Sequence, residues 1–153
     1  MRAKVSWVKG LRFVGTSGSN HAVVMESKKE GEEQAAPSPM EMVLLALGGC
    51  ASIDIADILR KKRQNFTGLE VEIEGERAPE PPRVFTTVTL EFVISGPGVT
   101  DEAVRHAVKL SMDKYCSVAS TLQKAGAKTI WKWRNEAGGK GEMVFDPAKA
   151  AAK

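Results

Sequence analysis

Apolar and polar positions alternate along the first 25 residues. Ala3, Val5 and Trp7, then Leu11 and Phe13 after a Lys9-Gly10 turn, then the run from His21 to Met25, predict a meander of three short strands. The stretch from Glu26 to Pro37 is polar and contains glycine and proline, which predicts a mobile surface loop. The period then changes from two to 3.6. Ser38 fits an N-cap, Pro39 the first helical position, and Glu41 closes a Ser-x-x-Glu capping box. A helix follows to about Lys62, with Met42, Leu45, Ala46, Gly49, Cys50, Ile53 and Ala56 on the face expected to point inward.

Alternation returns in Leu69–Glu74. A turn at Pro79-Glu80-Pro81-Pro82 and a longer apolar strand from Val84 to Ile94 complete a predicted hairpin. Thr100 caps a second helix, with Asp101 and Glu102 at its positive end. Its apolar stripe, Val104, Val108, Met112, Tyr115, Ala119 and Leu122, runs until Gly126, and Cys116 borders it. Lys128–Trp133 reads as a last strand, with Trp131 and Trp133 on one face as core or dimer packing. The Gly-rich and Ala/Lys-rich end, approximately 135–153, reads as a partly disordered tail. The order β-β-β-α-β-β-α-β lacks regular strand–helix alternation. It predicts one α+β domain over residues 1–153, with two apolar helices packed on a sheet face, not a doubly wound sheet.

Composition narrows this little. At 153 residues, 42% hydrophobic and 27% charged, the chain fits one globular domain with a sizeable core. The amino terminus has no apolar leader core, and no stretch reads as the roughly 18 apolar residues of a membrane span, so a cytoplasmic protein without a membrane partner is expected. The net charge of +3 and the run Arg60-Lys61-Lys62-Arg63 raise nucleic acid as a partner. That run instead falls where basic residues complement a helix carbonyl end, and no aromatic residues interleave it. No nucleic-acid partner is expected.

The candidate chemistry lies in the two cysteines, Cys50 and Cys116, each inside a predicted apolar helix. In a reducing cytoplasm they are either inert small hydrophobes or a redox couple, and a bond between them needs Cα atoms within about 7 Å. The glycines Gly48 and Gly49 before Cys50 each lose roughly 1 kcal/mol of helix propensity relative to alanine. A close helix or dimer contact would explain them, and so would access of a small substrate to the sulfur. His21 and His106 do not combine with the separated cysteines into a close-paired structural zinc motif, so no metal is expected. Asp54 and Asp57 read as solvated helix-surface acids. The scattered glycines form no phosphate-cradling motif, and no cofactor is expected.

The run Ser38-Pro39-Met40-Glu41 leading through Ala46-Leu47-Gly48-Gly49-Cys50, followed by Lys114-Tyr115-Cys116-Ser117-Val118, resembles the OsmC/Ohr family. Val8-Lys9-Gly10-Leu11 and Pro82-Arg83-Val84-Phe85-Thr86 extend the likeness over roughly residues 1 to 134 and bring it nearest to the YhfA-like branch. The resemblance implies an OsmC-like α+β fold with two central helices on antiparallel sheets, in an intertwined homodimer. It also implies an oxidative-stress peroxidase that reduces organic hydroperoxides. Cys50 matches the peroxidatic cysteine and Cys116 the resolving one, with an external dithiol as reductant. The alternative is an OsmC-like dimer that binds a small apolar molecule or a reactive sulfur species. A third possibility leaves both cysteines as packing residues.

Active family members also use a glutamate and an arginine at the site. Aligned through Cys50, the glutamate position holds Met40, with Glu41 one residue later, and one residue turns a helical side chain by about 100°. Glu41 is therefore a capping-box acid with a catalytic role as the second reading. Arg12 and Arg83 are the candidates for the arginine, against the plainer reading of strand-end surface charges.

Overall fold

The computed structural model describes residues 1–28, 31 and 33–150. The chain forms two compact units, Met1–Leu45 and Ala46–Lys153.

The first unit holds an antiparallel meander of β1 (Ala3–Lys9), β2 (Arg12–Ser17) and β3 (Ala22–Glu26), in the order β1-β2-β3. These are the three strands that the alternation predicts. Three strands alone bury little. Val5, Trp7, Phe13, Val23 and Val24 all remain exposed, Trp7 to 66%. Lys29 and two further positions of the expected polar loop lie outside the described residues. At its end, the Ser38 amide donates to Glu41 Oε2 at 2.6 Å and the Glu41 amide donates to Ser38 Oγ at 3.2 Å. This is the reciprocal capping box, and it opens helix α1 (Pro39–Lys61), which continues into the second unit.

The second unit is built on a four-stranded sheet, β4 (Gly68–Arg77), β5 (Phe85–Ser95), β6 (Lys128–Asn135) and β7 (Lys140–Phe145), in that order. The predicted hairpin is β4 with β5, antiparallel. Along β5, Val88, Leu90, Phe92 and Ile94 are fully buried in strict alternation, the pattern of a strand with one face on the core. β5 and β6 pair in parallel, so the sheet is mixed and not wholly antiparallel. A parallel neighbour requires a crossover, supplied here by helix α2 (Asp101–Leu110), a π-helical turn over Ser111–Tyr115, and helix α3 (Ser117–Lys124). Trp131 and Trp133 are buried in the core of this unit, with the Trp131 ring 5.6 Å from that of Phe92 and the Trp133 indole donating to Asp101.

Four sequence expectations need correction. The predicted second helix is interrupted: Cys116 has extended backbone angles, φ −69° and ψ 98°, and divides α2 and its π turn from α3. The part of α1 in this unit buries Leu47, Gly48, Ala51, Ile55 and Leu59, whereas Ala46, Gly49 and Ile53 of the predicted inward face are exposed. Almost every position in this stretch is apolar, so the periodicity does not choose a side. The same composition makes α1, at 23 residues, long and apolar enough to cross a membrane, contrary to expectation; five of its residues pack inside the protein instead. Finally, the chain past Asn135 forms β7 against β6 and a short helix α4 (Pro147–Ala150), neither of which was expected of the tail. The end of that tail, residues 151–153, lies outside the described residues.

Candidate functional site

Cys50 lies one turn beyond Leu47 on α1, half-buried beside the face that packs on β4. That packing is close because residue 48 is glycine: a Cβ there would stand 2.5 Å from Ile73 Cδ1 and 3.3 Å from Val71 Cγ1. Gly49 differs, having nothing within 4 Å of where its Cβ would be. The two glycines therefore have separate explanations, and only Gly48 is accounted for by a neighbour inside this unit.

Cys116 reaches the same place from the other side. The π turn ends at Tyr115, the Cys116 amide donates to the Ser111 carbonyl at 2.9 Å, and Cys116 becomes the N-cap of α3. Its Sγ accepts from the Ala119 amide at 3.4 Å, and the residue is 2% exposed. The two thiols, 66 positions apart in the chain, thereby come together with the Asp54 carboxylate. One ligating atom from each of Cys50, Asp54 and Cys116 lies within 4.8 Å of the others, and both sulfurs are free thiols. Burial pushes the Cys116 thiol up to about 12. The Ala119 amide opposes this, while Cys50 and the Asp54 charge add to it.

Asp54 was expected on the solvated helix surface. It is half-buried, and its Oδ2 accepts a 3.0 Å bond from Ser111 Oγ, itself fully buried at the start of the π turn. The signal for it was present: Cys50 and Asp54 stand four apart in a helix and must share a face. Ser111 gave no such signal, because the π turn that presents it was not legible. Asp57 is exposed and paired with Lys61 at 2.6 Å, as a surface acid should be. A cavity of about 400 Å3 shares Asp54 with the cysteine cluster and is lined by Asp57, Ile58, Lys61, His106 and Tyr115 among others.

The expected supporting residues have other partners. Arg12, on β2, forks onto Glu26 of β3 with bonds of 3.0 and 3.1 Å, and this guanidinium holds the Glu26 carboxyl below the usual range. Glu41 is occupied by Ser38 and Gln34, which lower its carboxyl likewise. Arg83 sits in the β4–β5 turn with φ 51°, its carbonyl accepting from Arg77 Nε at 2.7 Å. Among the described residues no hydrogen bond or ion pair joins Arg83 to the cysteine cluster.

This fold, with a cysteine pair assembled between a central helix and the start of another, defines a member of the OsmC-like family, and the chain belongs to it: residues 30–132 match the family described as OsmC-like protein. The protein YhfA of Escherichia coli K12 is 50% identical over 125 residues, 82% of this chain and 91% of that one. A solved structure described only as structural genomics is 44% identical and superposes with a TM-score of 0.79, covering 88% of this chain and 98% of its own. At 14% identity the likeness is one of fold alone for a Legionella pneumophila protein described as an organic hydroperoxide resistance protein OsmC and predicted redox protein. Its TM-score is 0.62, over 88% of this chain and 94% of that one.

Proposed function

We propose that this protein is a thiol-dependent peroxidase that reduces organic hydroperoxides through Cys50 and Cys116, as a homodimer in the cytoplasm. The observation that carries the reading is the convergence of the two thiols within 4.8 Å, at the meeting of α1 with the break before α3. Cys50, the more exposed of the two, attacks the distal peroxide oxygen as its thiolate. The O–O bond breaks, an alcohol leaves with one proton, and Cys50 becomes a sulfenic acid. Cys116 then displaces hydroxide from that sulfur, forming a disulfide and water. The Cys116 proton ends on the departing hydroxide, and Asp54, with a carboxylate oxygen within 4.8 Å of both sulfurs, is the candidate relay for it. An external dithiol returns two electrons and two protons to reset the pair.

The homodimer is supported by the apolar surface each unit leaves open, Val5, Trp7 and Phe13 in the first and Ile53 in the second. A second reading is favoured by two features. Arg12 and Glu41 are already engaged in local structure, and the cavity beside Asp54 has both apolar and basic walls. A dimer with these features could bind a small apolar molecule or a reactive sulfur species without rapid peroxide turnover.

The deciding experiment mixes reduced protein with cumene hydroperoxide and, separately, hydrogen peroxide, with and without excess dithiol. Faster loss of the organic peroxide, with a mass decrease of about 2 Da from one intrachain disulfide, is expected. No reaction of folded, reduced protein with either peroxide would reject the peroxidase and leave the binding reading.

A further inference from the structure

We propose that Cys50, Asp54 and Cys116 also form a binding site for a thiophilic divalent cation of the zinc type. Two sulfurs and a carboxylate are a donor set that suits zinc, with water as the fourth ligand. Thiolates select against magnesium and calcium, which take oxygen. Around a tetrahedral zinc the ligand atoms stand roughly 3.6–3.8 Å apart. The three atoms here already lie within 4.8 Å of one another, so side-chain rotations of about an ångström complete the geometry.

The scaffold holds these donors independently of any redox step. Cys50 and Asp54 project from successive turns of one helix. Cys116 is fixed by its capping bond from the Ala119 amide, and the Ser111 hydroxyl orients the Asp54 carboxylate. A metal-bound carboxylate characteristically has such an outer partner. Cys116 is buried and Cys50 and Asp54 are half-buried, which leaves one open side for a water. Binding forms two sulfur–metal bonds and releases both thiol protons to solvent, with no oxidant or reductant involved. An occupied site masks both sulfurs at once, so the cation acts as a reversible lock on the thiol pair.

The test uses reduced, metal-free protein without peroxide, so its failure leaves the thiol cycle standing. Zinc affinity is measured by competition with a chromophoric chelator, and cobalt(II) is added separately to look for a thiolate-to-metal charge-transfer band. One ion per chain is expected, with the band present and both cysteines protected from iodoacetamide. Cys50→Ser and Cys116→Ser should each cut the band by half or more and weaken zinc binding, and Asp54→Asn should weaken zinc binding at least tenfold. Ser111→Ala should weaken it by a smaller factor; circular dichroism verifies folding throughout. Should either serine variant fail to fold, Asp54→Asn and Ser111→Ala carry the test. Zinc affinity unchanged in the folded variants, or no ion retained by the wild type at micromolar zinc, overturns the site.

Discussion

Cys50 and Cys116 both read from the periodicity as residues of apolar helices, and they are unlike in the structure. The half-buried Cys50 should be alkylated by iodoacetamide well before Cys116, which is 2% exposed and whose thiol burial holds near 12. Peptide mass mapping after brief labelling at neutral pH checks this; equal rates would contradict the assignment of attacking and resolving roles. The raised Cys116 value also links stability to pH. Below about 9 the thiol is neutral both folded and unfolded, so its contribution is fully present. From there to about 12 the unfolded chain loses a proton that the folded one keeps, and stability falls as pH rises. The melting temperature should therefore drop more steeply as the pH rises from about 9 towards about 12 than it does in Cys116→Ser. Parallel slopes would show that the thiol is not so held. At this scale the sequence disclosed both cysteines and the Glu41 capping box. The spacing of Asp54 from Cys50 was also in the sequence, but not the Ser111 hydroxyl that faces it, and an acid on a helix reads as solvated until something is seen to face it.

The elements were legible to the degree that one face of each was polar. Strands β1 to β5 follow the alternation within a few residues, because side chains on a strand take opposite faces. Helix α1 was found but wrongly faced, since apolar residues surround it. The break at Cys116 was hidden because the apolar stripe of α2 continues in register past it, while the π turn that shifts the backbone depends on tertiary packing. Strand β7 was missed because its six residues, Lys140–Phe145, are short and bounded by polar and glycine residues. The parallel pairing of β5 with β6 is a matter of topology that local patterns do not encode. The Gly48-Gly49 pair gives the sharpest test at this scale. Gly48→Ala sets a methyl group against the Ile73 Cδ1 and Val71 Cγ1 of β4, so the overpacking offsets its helix-propensity gain and the variant should be less stable than Gly49→Ala by about 1 kcal/mol or more in chemical denaturation. Gly49→Ala meets nothing within its own unit and should stabilise the isolated protomer by up to about 1 kcal/mol through helix propensity. Equal losses at the two positions would contradict this distinction.

For the whole molecule, the apolar surface left open has the composition of an interior. Ile53 is 71% exposed on α1, in a stretch with exposed Gly49 and Ala46, where a second copy could approach closely. Sedimentation at micromolar concentration should show a dimer, and Ile53→Asp should shift it to monomer by placing a charge in that contact. A wild-type monomer under these conditions would reject the homodimer. Helix α1 has a further consequence. A segment this apolar is only 28% buried by its own chain, so in the proposed dimer folding and self-association draw on the same surface. Resistance to heat should then be a property of the solution as well as of the chain: by mass action, each tenfold dilution removes about 1.4 kcal/mol per mole of dimer. A dilute sample would melt at a lower temperature than a concentrated one with no bond in the protomer changed.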